Sequence, residues 1–364
     1  MNKKLFEKFR GSQKADWIEA AKSELKGDDP VVKLSKSIEG LHINAYYDIS
    51  DQSKALKYNL PVSNDPYLGP RAWHNMPLVS VSEAKASNKT ALAHLSAGAD
   101  GLVYDIKSRI DLNHLLDGIE LPYCSTLLMI DSEHSEILFE LDKICTAREY
   151  DKSAIEGGAI WKTAPQDSNF LEIFQDWENF FVLGHSIPNV APIESLVQAL
   201  QRGVRSIDAM TASNGDPTLA LAGQAFSFEI GNNFFFEIAK LKAFRRLWHT
   251  VLSAYDAKIT RAPLPYIHTI STVWSDDAYN PNSNMLKATT SAIASILGGC
   301  DGMTILPQDQ FHPVQSRIAR NTSNILREES HMHRTADPTA GSYYLEALIE
   351  QMAREAWEKF KESI

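Results

Sequence analysis

Long apolar runs and cysteines are both scarce in this sequence. No run reaches about 18 apolar residues, the length that would begin to suggest a membrane helix, so we expect no membrane span. The opening residues, MNKKLFEKFRGSQKADW, contain no long apolar segment, and we expect no secretory signal. The cysteines, Cys124, Cys145 and Cys300, are too far apart for a metal motif. They predict reduced thiols in a cytoplasmic protein.

Signals for nucleic acids, metals and nucleotides are also missing. The net charge of −10 argues against a nucleic-acid surface. His331 and His333 are two residues apart and His312 stands alone before Pro313, so none has the i, i+4 spacing of a helical zinc site. We therefore expect no bound metal. No Gly-x-Gly-x-x-Gly follows a first strand, which removes the usual dinucleotide signature.

From residue 73 onward, short apolar strands alternate with helical patterns. Strands are predicted at Leu78–Val81, Gly101–Ile106, Ser125–Ile130, Gly158–Trp161, Phe180–Gly184, Tyr266–Thr272 and Gly302–Leu306, with a weaker eighth near Arg334–Ala336. Helices are predicted near Ser82–Ala97, Asp111–Asp117, Ser132–Tyr150, Ile193–Arg202, Pro217–Tyr255, Pro281–Leu297 and Pro313–Glu329. This alternation predicts an α/β fold, a closed (β/α)8 TIM barrel, with an open doubly wound sheet as the alternative.

The longest predicted helix, Pro217–Tyr255, carries a wide aromatic stripe. Asp216 suits its N-cap, and Pro217 suits its first position. Apolar residues then fall three or four apart, beginning with Phe226 and Ile230. The spacing predicts a barrel helix packed on the sheet. Gly231-Asn232-Asn233 has low helix propensity and indicates a kink or break.

The two ends of the chain do not show the alternation of strands and helices that predicts the barrel. Residues 1–70 contain a short amphipathic helix marked by Trp17, Ala21 and Leu25, a strand near Glu39–Ile43, and turns. We predict an arm that lies either on its own barrel or on a partner. After Tyr343 a last helix carries an apolar stripe that needs a neighbour to cover it.

Two long strings resemble one family. These are SRIARNT, ILREES and ADPTAGSYYLEAL within residues 316–348, and GNNFFFEIAKLKAFRRLW at residues 231–248. They resemble the barrel domain of the methylmalonyl-CoA mutases, which are adenosylcobalamin-dependent acyl-CoA isomerases. The resemblance implies an N-terminal arm for subunit contact at 1–70, a TIM-barrel domain at 71–340, and at 341–364 the start of a linker helix towards a missing or separate C-terminal domain.

The motifs expected at the barrel mouth depart from that family. Active members carry Gly-Tyr-His where this chain has Gly184-His185 without the tyrosine, and Cys-Gln-Thr-Ser-Gly where it has His268 to Thr272. Trp274-Ser275 does match the family's Gly-Trp-Ser loop. His185, His268 and Trp274 are therefore the mouth candidates for substrate binding, and His185 is a weak candidate for a general acid.

The resemblance implies a role in a complex. The cobalt-binding string Asp-x-His-x-x-Gly does not occur, so adenosylcobalamin is expected on a large catalytic subunit and not on this chain. The leading hypothesis is the small, structural subunit of a heterodimeric methylmalonyl-CoA mutase, which reaches the acyl-CoA only through the complex. Two alternatives stay open: a catalytic mutase barrel whose cobalamin domain is a separate chain, and a non-enzymatic barrel scaffold.

Overall fold

The structure is a computed structural model that describes residues 13–51, 60–165, 170–212, 217–255, 264–271, 283–309 and 312–364. Its strands are β1 (Lys36–Ile38), β2 (Leu41–Ile43), β3 (His74–Asn75), β4 (Leu78–Val81), β5 (Gly101–Ile106), β6 (Ser125–Ile130), β7 (Gly157–Trp161), β8 (Phe180–Ile187), β9 (Gln224–Ile230), β10 (Tyr266–Ser271) and β11 (Gly302–Thr304). Its helices are α1 (Lys14–Glu24), α2 (Pro30–Leu34), α3 (Ala84–Leu95), α4 (Leu112–Leu115), α5 (Glu136–Ala147), α6 (Phe170–Ile173), α7 (Pro192–Ala212), α8 (Pro217–Ala222), α9 (Phe234–Tyr255), α10 (Ser283–Gly298), α11 (Pro313–Glu328) and α12 (Tyr343–Lys361).

The main sheet closes on itself through one interrupted strand. Its order is β3-β11-β10-β9-β8-β7-β6-β5-β4, with parallel neighbours throughout. β3 and β4 are separated only by Met76-Pro77, so they act as one strand. β3 pairs with β11 and β4 pairs with β5, while the Asn75 carbonyl accepts a hydrogen bond from Asp100 N at 3.0 Å. The predicted (β/α)8 TIM barrel is therefore confirmed.

The barrel wall has two apolar faces. Alternate residues of the strands, such as Leu102 and Tyr104, belong to a large core between sheet and helices. The residues between them point inward and form a separate cluster of Met76, Val103, Leu127, Met129, Ile160 and Ala225, with Leu78, Phe181 and Tyr266 packed against it. This division follows from the two-residue side-chain period of a strand.

The predicted strands agree closely with the structure, except for the eighth. The segment near Arg334–Ala336 is not a strand, because Met332–Arg334 forms a 3-10 turn. The missing strand is β9, which the sequence analysis placed inside the long helix Pro217–Tyr255. The predicted helix was wrong over residues 223–233, whereas Pro217–Ala222 is helical as α8. Phe226 and Ile230 satisfy a four-residue spacing, but they also alternate with small or polar residues as a half-buried strand requires.

The predicted helices are largely confirmed, although several bounds differ. α7 runs on to Ala212, well past the predicted end at Arg202. The break expected at Gly231-Asn232-Asn233 is real, because β9 ends at Ile230 and α9 begins at Phe234. Asp216, the predicted N-cap, lies outside the described residues.

The arm and the last helix lie against each other. In the arm, Trp17 stacks on Tyr46 at 5.2 Å between ring centroids, and Tyr47 contacts Tyr344 of α12 at 5.3 Å. α12 in turn packs on α7 and α9. Its buried stripe consists of Leu345, Leu348, Ile349, Met352, Ala353, Ala356 and Phe360. Residues 13–51 of the arm therefore meet α12, whereas Tyr67 lies directly against Arg327 of α11, whose Cζ is 5.2 Å from the tyrosine ring centroid.

A glycine on α7 sets how closely α7 approaches α9. A Cβ added at Gly203 would lie 2.4 Å from Cη2 of Trp248 and 3.0 Å from Cζ of Phe226. Both rings are completely buried and cannot move aside. The glycine is kept in mid-helix, despite its low propensity, because only a hydrogen fits there.

We expect Gly203→Ala to lower the free energy of unfolding by about 1–3 kcal/mol, because overpacking outweighs the gain in helix propensity. Urea denaturation monitored by circular dichroism measures this change. Thr211→Ala, at an exposed position of the same helix, is the matched control and is expected within about 0.5 kcal/mol of the wild type. Equal stability of the two variants would contradict the packing argument.

Candidate functional site

The carboxyl ends of the barrel strands carry charged groups that already have partners. Asp105 at the end of β5 meets Lys162, which follows β7, at 2.5 Å between Oδ1 and Nζ. Lys107 approaches the other carboxylate oxygen of Asp105 at 3.3 Å. The Glu229 side chain at the end of β9 accepts a hydrogen bond from Asn189 N at 3.0 Å. The described part of the mouth is thus a polar rim of internal ion pairs and hydrogen bonds.

A buried ion pair on α9 lies next to Glu229 of this rim. Lys240 and Glu237, one turn apart on α9, have nitrogen and oxygen atoms 2.6 Å apart, and their side chains are 0% and 5% exposed. Lys240 also donates to the Glu229 carbonyl at 3.2 Å. Removing either partner would leave an uncompensated charge in the interior. The pair therefore ties the start of α9 to the end of β9.

His268 lies inside the barrel and both of its ring nitrogens are bonded. Nδ1 is 2.7 Å from the Ser227 hydroxyl and Nε2 is 2.9 Å from the Thr304 hydroxyl. Thr304 donates its own proton to the Met76 carbonyl at 2.6 Å. Its oxygen must therefore accept from His268 Nε2–H, and Nδ1 accepts from Ser227. Burial lowers the pKa of His268 to about 3, so the ring is neutral.

His185 does not point into the barrel mouth, as the sequence analysis expected. Its Nε2 donates to Gln224 Oε1 at 2.9 Å and lies 3.3 Å from Ser206 Oγ of α7. Its ring also contacts Phe226, which belongs to the core between sheet and helices. Burial lowers the pKa of His185 to about 4. The side chain is a neutral core group beneath α7.

A register shift between β7 and β8 explains this orientation. Gly158 pairs with Phe181, but Ile160 pairs with Gly184, so β8 has one extra residue between them. Such a bulge reverses which residues face inward from that point on. Gly184 takes the inward position beside Ile160, and His185 faces outward beside Trp161. The third mouth candidate, Trp274, lies outside the described residues, as does Ser275.

Sequence reasoning missed the charged rim. Asp105 lies near the end of β5, in the sequence GLVYDI, and Glu229 lies near the end of β9, in the sequence AFSFEI. Each is the acidic residue of a stretch that otherwise consists of apolar or small residues. A carboxylate at that place in a barrel strand is the signal that could have found them.

The axis of the barrel is filled. Met76, Val103, Leu127 and Ile160 are completely buried in the inward cluster. The Tyr266 hydroxyl lies 3.4 Å from the Met76 sulfur. A Cβ added at Gly302 would meet that hydroxyl at 2.3 Å. The described inward side chains therefore form a packed layer inside the barrel.

No set of three or more histidine, cysteine or acidic side chains that could hold a metal occurs among the residues that the structure describes. In the same ranges, no helix is long and apolar enough to cross a bilayer. Burial raises the pKa of the Cys300 thiol to about 11 and that of Cys145 to about 12, so neither is a ready nucleophile at neutral pH.

Comparison with known proteins identifies the family. The family model described as methylmalonyl-CoA mutase matches residues 177–363, which is more than half of the chain. The chain belongs to the methylmalonyl-CoA mutase family. It is 28% identical to the methylmalonyl-CoA mutase small subunit of Porphyromonas gingivalis, over 98% of this chain and 63% of that protein. It is also 28% identical to the small subunit of Streptomyces virginiae, over 80% of this chain and 52% of that protein.

The chain thus spans between about half and under two thirds of the length of these curated relatives. Among solved structures, the dihydropteroate synthase of Thermus thermophilus superposes with a TM-score of 0.37 at 12% identity, over 70% of this chain and 98% of that one. The barrel is established here by the strand order of the chain itself. The mutase family as a whole is cobalamin-dependent.

The buried histidines should make stability depend on pH. His268 has a pKa of about 3 in the fold and about 6.5 when unfolded, so unfolding takes up a proton between these values. This contribution is fully present above pH 6.5 and is lost as the pH falls. We expect His268→Gln to flatten the decline between about pH 6 and pH 5 by up to about 1.4 kcal/mol per pH unit.

Urea denaturation of both proteins at a series of pH values measures this slope. His114→Gln is the control, because His114 is an exposed histidine on α4 that pairs with Asp111 at the surface. Its slope should stay close to that of the wild type. A His268→Gln variant with an unchanged slope would mean that His268 does not remain neutral in the fold.

Proposed function

We propose that this chain is the small, structural subunit of a heterodimeric methylmalonyl-CoA mutase. The holoenzyme would interconvert methylmalonyl-CoA and succinyl-CoA, with substrate and adenosylcobalamin on a large partner subunit. The single observation that carries the proposal is the packed interior of the barrel, where Met76, Ile160 and Tyr266 belong to one inward cluster. The similarity to two proteins named small subunits, over most of this chain, supports it.

The two barrel histidines, His185 and His268, do not fit a cobalamin site. A cobalt ligand needs a histidine with a free ring nitrogen directed at the cofactor. His268 uses both nitrogens within the barrel, and His185 lies beneath α7. The charged groups of the mouth are engaged with one another, as Asp105 and Lys162 are. We therefore derive no catalytic step on this chain.

The chain's own contribution would be a rigid barrel that presents an arm to the partner. The arm exposes apolar side chains that the barrel does not cover: Val32 is 78% exposed and Ile49 is 71% exposed. Val31, Leu34 and Ile38, close to Val32 in the sequence, are each at least 36% exposed, and such a concentration of exposed apolar residues is typical of an interaction surface. The Lys14–Asp51 ion pair at 2.6 Å and the Trp17–Tyr46 stack hold the arm in shape. We propose that the large mutase subunit covers this arm.

Substitution of the two exposed arm residues tests the partner surface. The double variant Val32→Asp, Ile49→Asp should weaken association with the large subunit at least about tenfold, because charges would enter an apolar interface. Co-purification and analytical ultracentrifugation with the large subunit encoded in the same organism measure this. Tyr123→Asp, on the barrel surface where Tyr123 is 87% exposed, is the control. Unchanged assembly of the double variant would contradict the assignment of the arm.

Kinetics of the reconstituted complex test the non-catalytic role. We expect His185→Gln and Lys162→Met to change kcat by no more than about twofold, since removal of a general acid or base typically costs 100-fold or more. The thermal midpoint of each complex, measured in parallel, separates loss of activity from loss of folding. A 100-fold lower kcat in a folded complex would favour the alternative, a catalytic barrel whose cobalamin domain is a separate chain.

The isolated chain provides a second measurement of the same role. Calorimetric titration with methylmalonyl-CoA and with adenosylcobalamin should give no binding, because the described interior is packed and both His185 and His268 are engaged. Turnover by the pure chain would overturn the proposal. Failure to bind any larger mutase chain would instead favour a barrel scaffold without mutase chemistry.

A further inference from the structure

A groove on the outside of the barrel combines several cations with no acidic residue. It has a volume of about 560 Å³ and lies between α3 and α11, next to the strands where the barrel closes. Its charged and polar lining includes Lys89 and His94 of α3, and Ser316, Arg317 and Arg320 of α11. Val79, Ile305 and Ala319, all buried, form an apolar floor. We call this the α3–α11 groove.

The cations of the α3–α11 groove are unusual for this chain. The protein has an excess of ten acidic charges. Arg327 and Arg245, which are buried, each lie against a carboxylate, in the contacts Arg327–Asp100 at 2.7 Å and Arg245–Asp301 at 2.7 Å. Within the described residues, no ion pair involves Lys89, Arg317 or Arg320, and no aspartate or glutamate lines the groove. Among the described residues, no ion pair balances the positive charge there.

The two arginines also stand close enough to repel each other. They are three residues apart on α11, so their side chains share one face of the helix. Loss of hydration, together with the charge of Arg317, lowers the pKa of Arg320. Like charges at this spacing destabilise a helix unless an anion lies between them. The arrangement therefore has a cost that a bound anion would remove.

Arg320 holds a hydrogen-bond donor that the protein leaves unused. Its Nε is shielded from water and has no partner. Its Nη1 lies 3.4 Å from Nδ1 of His94, whose pKa is lowered to about 4 by burial and by Arg320. His94 is thus neutral and its Nδ1 can accept from the guanidinium. This contact fixes the arginine against the wall of the groove.

We propose that the α3–α11 groove binds a small molecule carrying a phosphate group, held by Arg317, Arg320 and Lys89. The planar donor fork of arginine matches phosphate oxygens, and a dianion balances several cations better than a single carboxylate does. The volume falls within the range of small-molecule sites, and the apolar floor suits an organic substituent. The site is separate from the barrel axis and does not depend on the proposed mutase role.

Binding of inorganic phosphate to the full chain is the direct test. Calorimetry and thermal unfolding are carried out at constant ionic strength, with sodium chloride replacing phosphate in the reference. Phosphate should bind and raise the thermal midpoint of the wild type. Arg317→Gln should weaken the binding at least about tenfold, because a charge-assisted hydrogen bond is lost. Arg354→Gln, an exposed arginine of α12 outside the groove, is the matched control and should bind as the wild type does.

A second variant separates the site from general charge effects. Arg320→Lys keeps the charge but removes Nε and the fork, so it should also bind phosphate more weakly. In phosphate-free buffer, Arg317→Gln should be at least as stable as the wild type, because the repulsion is relieved. The proposal is overturned if phosphate gives no shift beyond chloride, or if Arg317→Gln and Arg354→Gln lose binding to the same extent.

Discussion

The barrel depends on one interrupted strand that pairs on both sides. Residues 74–81 bond to β11 before Met76-Pro77 and to β5 after it. Pro77 cannot donate a backbone hydrogen bond, but its carbonyl accepts from Val103 N at 3.0 Å. Closure removes the free edges that an open sheet would expose. It also gives every strand one face towards the barrel interior and one face towards the surrounding helices. The side chains on these two faces form separate clusters.

The bulge in β8 decides what the inner face of that strand contributes. Without the extra residue, the alternation that begins at Phe181 would carry His185 inward. With it, Val182 and Leu183 both join the outer core, and Gly184 faces Ile160. A Cβ at Gly184 would lie 2.5 Å from Cδ1 of Ile160. The interior is therefore filled at this level by isoleucine, while the histidine serves the packing of α7 against the sheet.

Much of the fold could be predicted from alternation of strands and helices, whereas local exceptions could not. Strands such as Gly101–Ile106 and Ser125–Ile130 are buried on both faces and stand out as continuous apolar runs. The sequence did not predict β9, because the spacing of Phe226 and Ile230 satisfies both the helical and the strand period. Only the flanking glycines, Gly223 and Gly231, mark the bounds of this strand. The site was harder to predict still. A bulge has no clear sequence signal. The sequence therefore could not predict whether the His185 side chain points into the barrel or towards the helices.

Several contacts in the interior of the barrel share the same groups. Tyr266 occupies space beside Gly302, and burial raises its pKa well above the usual value, so it stays neutral. Met76 contacts the tyrosine through its sulfur and holds Thr304 through its carbonyl. His268 bonds to Thr304 in turn. A ligand on the axis would have to displace apolar side chains and leave the buried histidine and threonine without partners, which costs free energy at each step. The filled axis is therefore a property of the whole interior, held by packing and hydrogen bonds together.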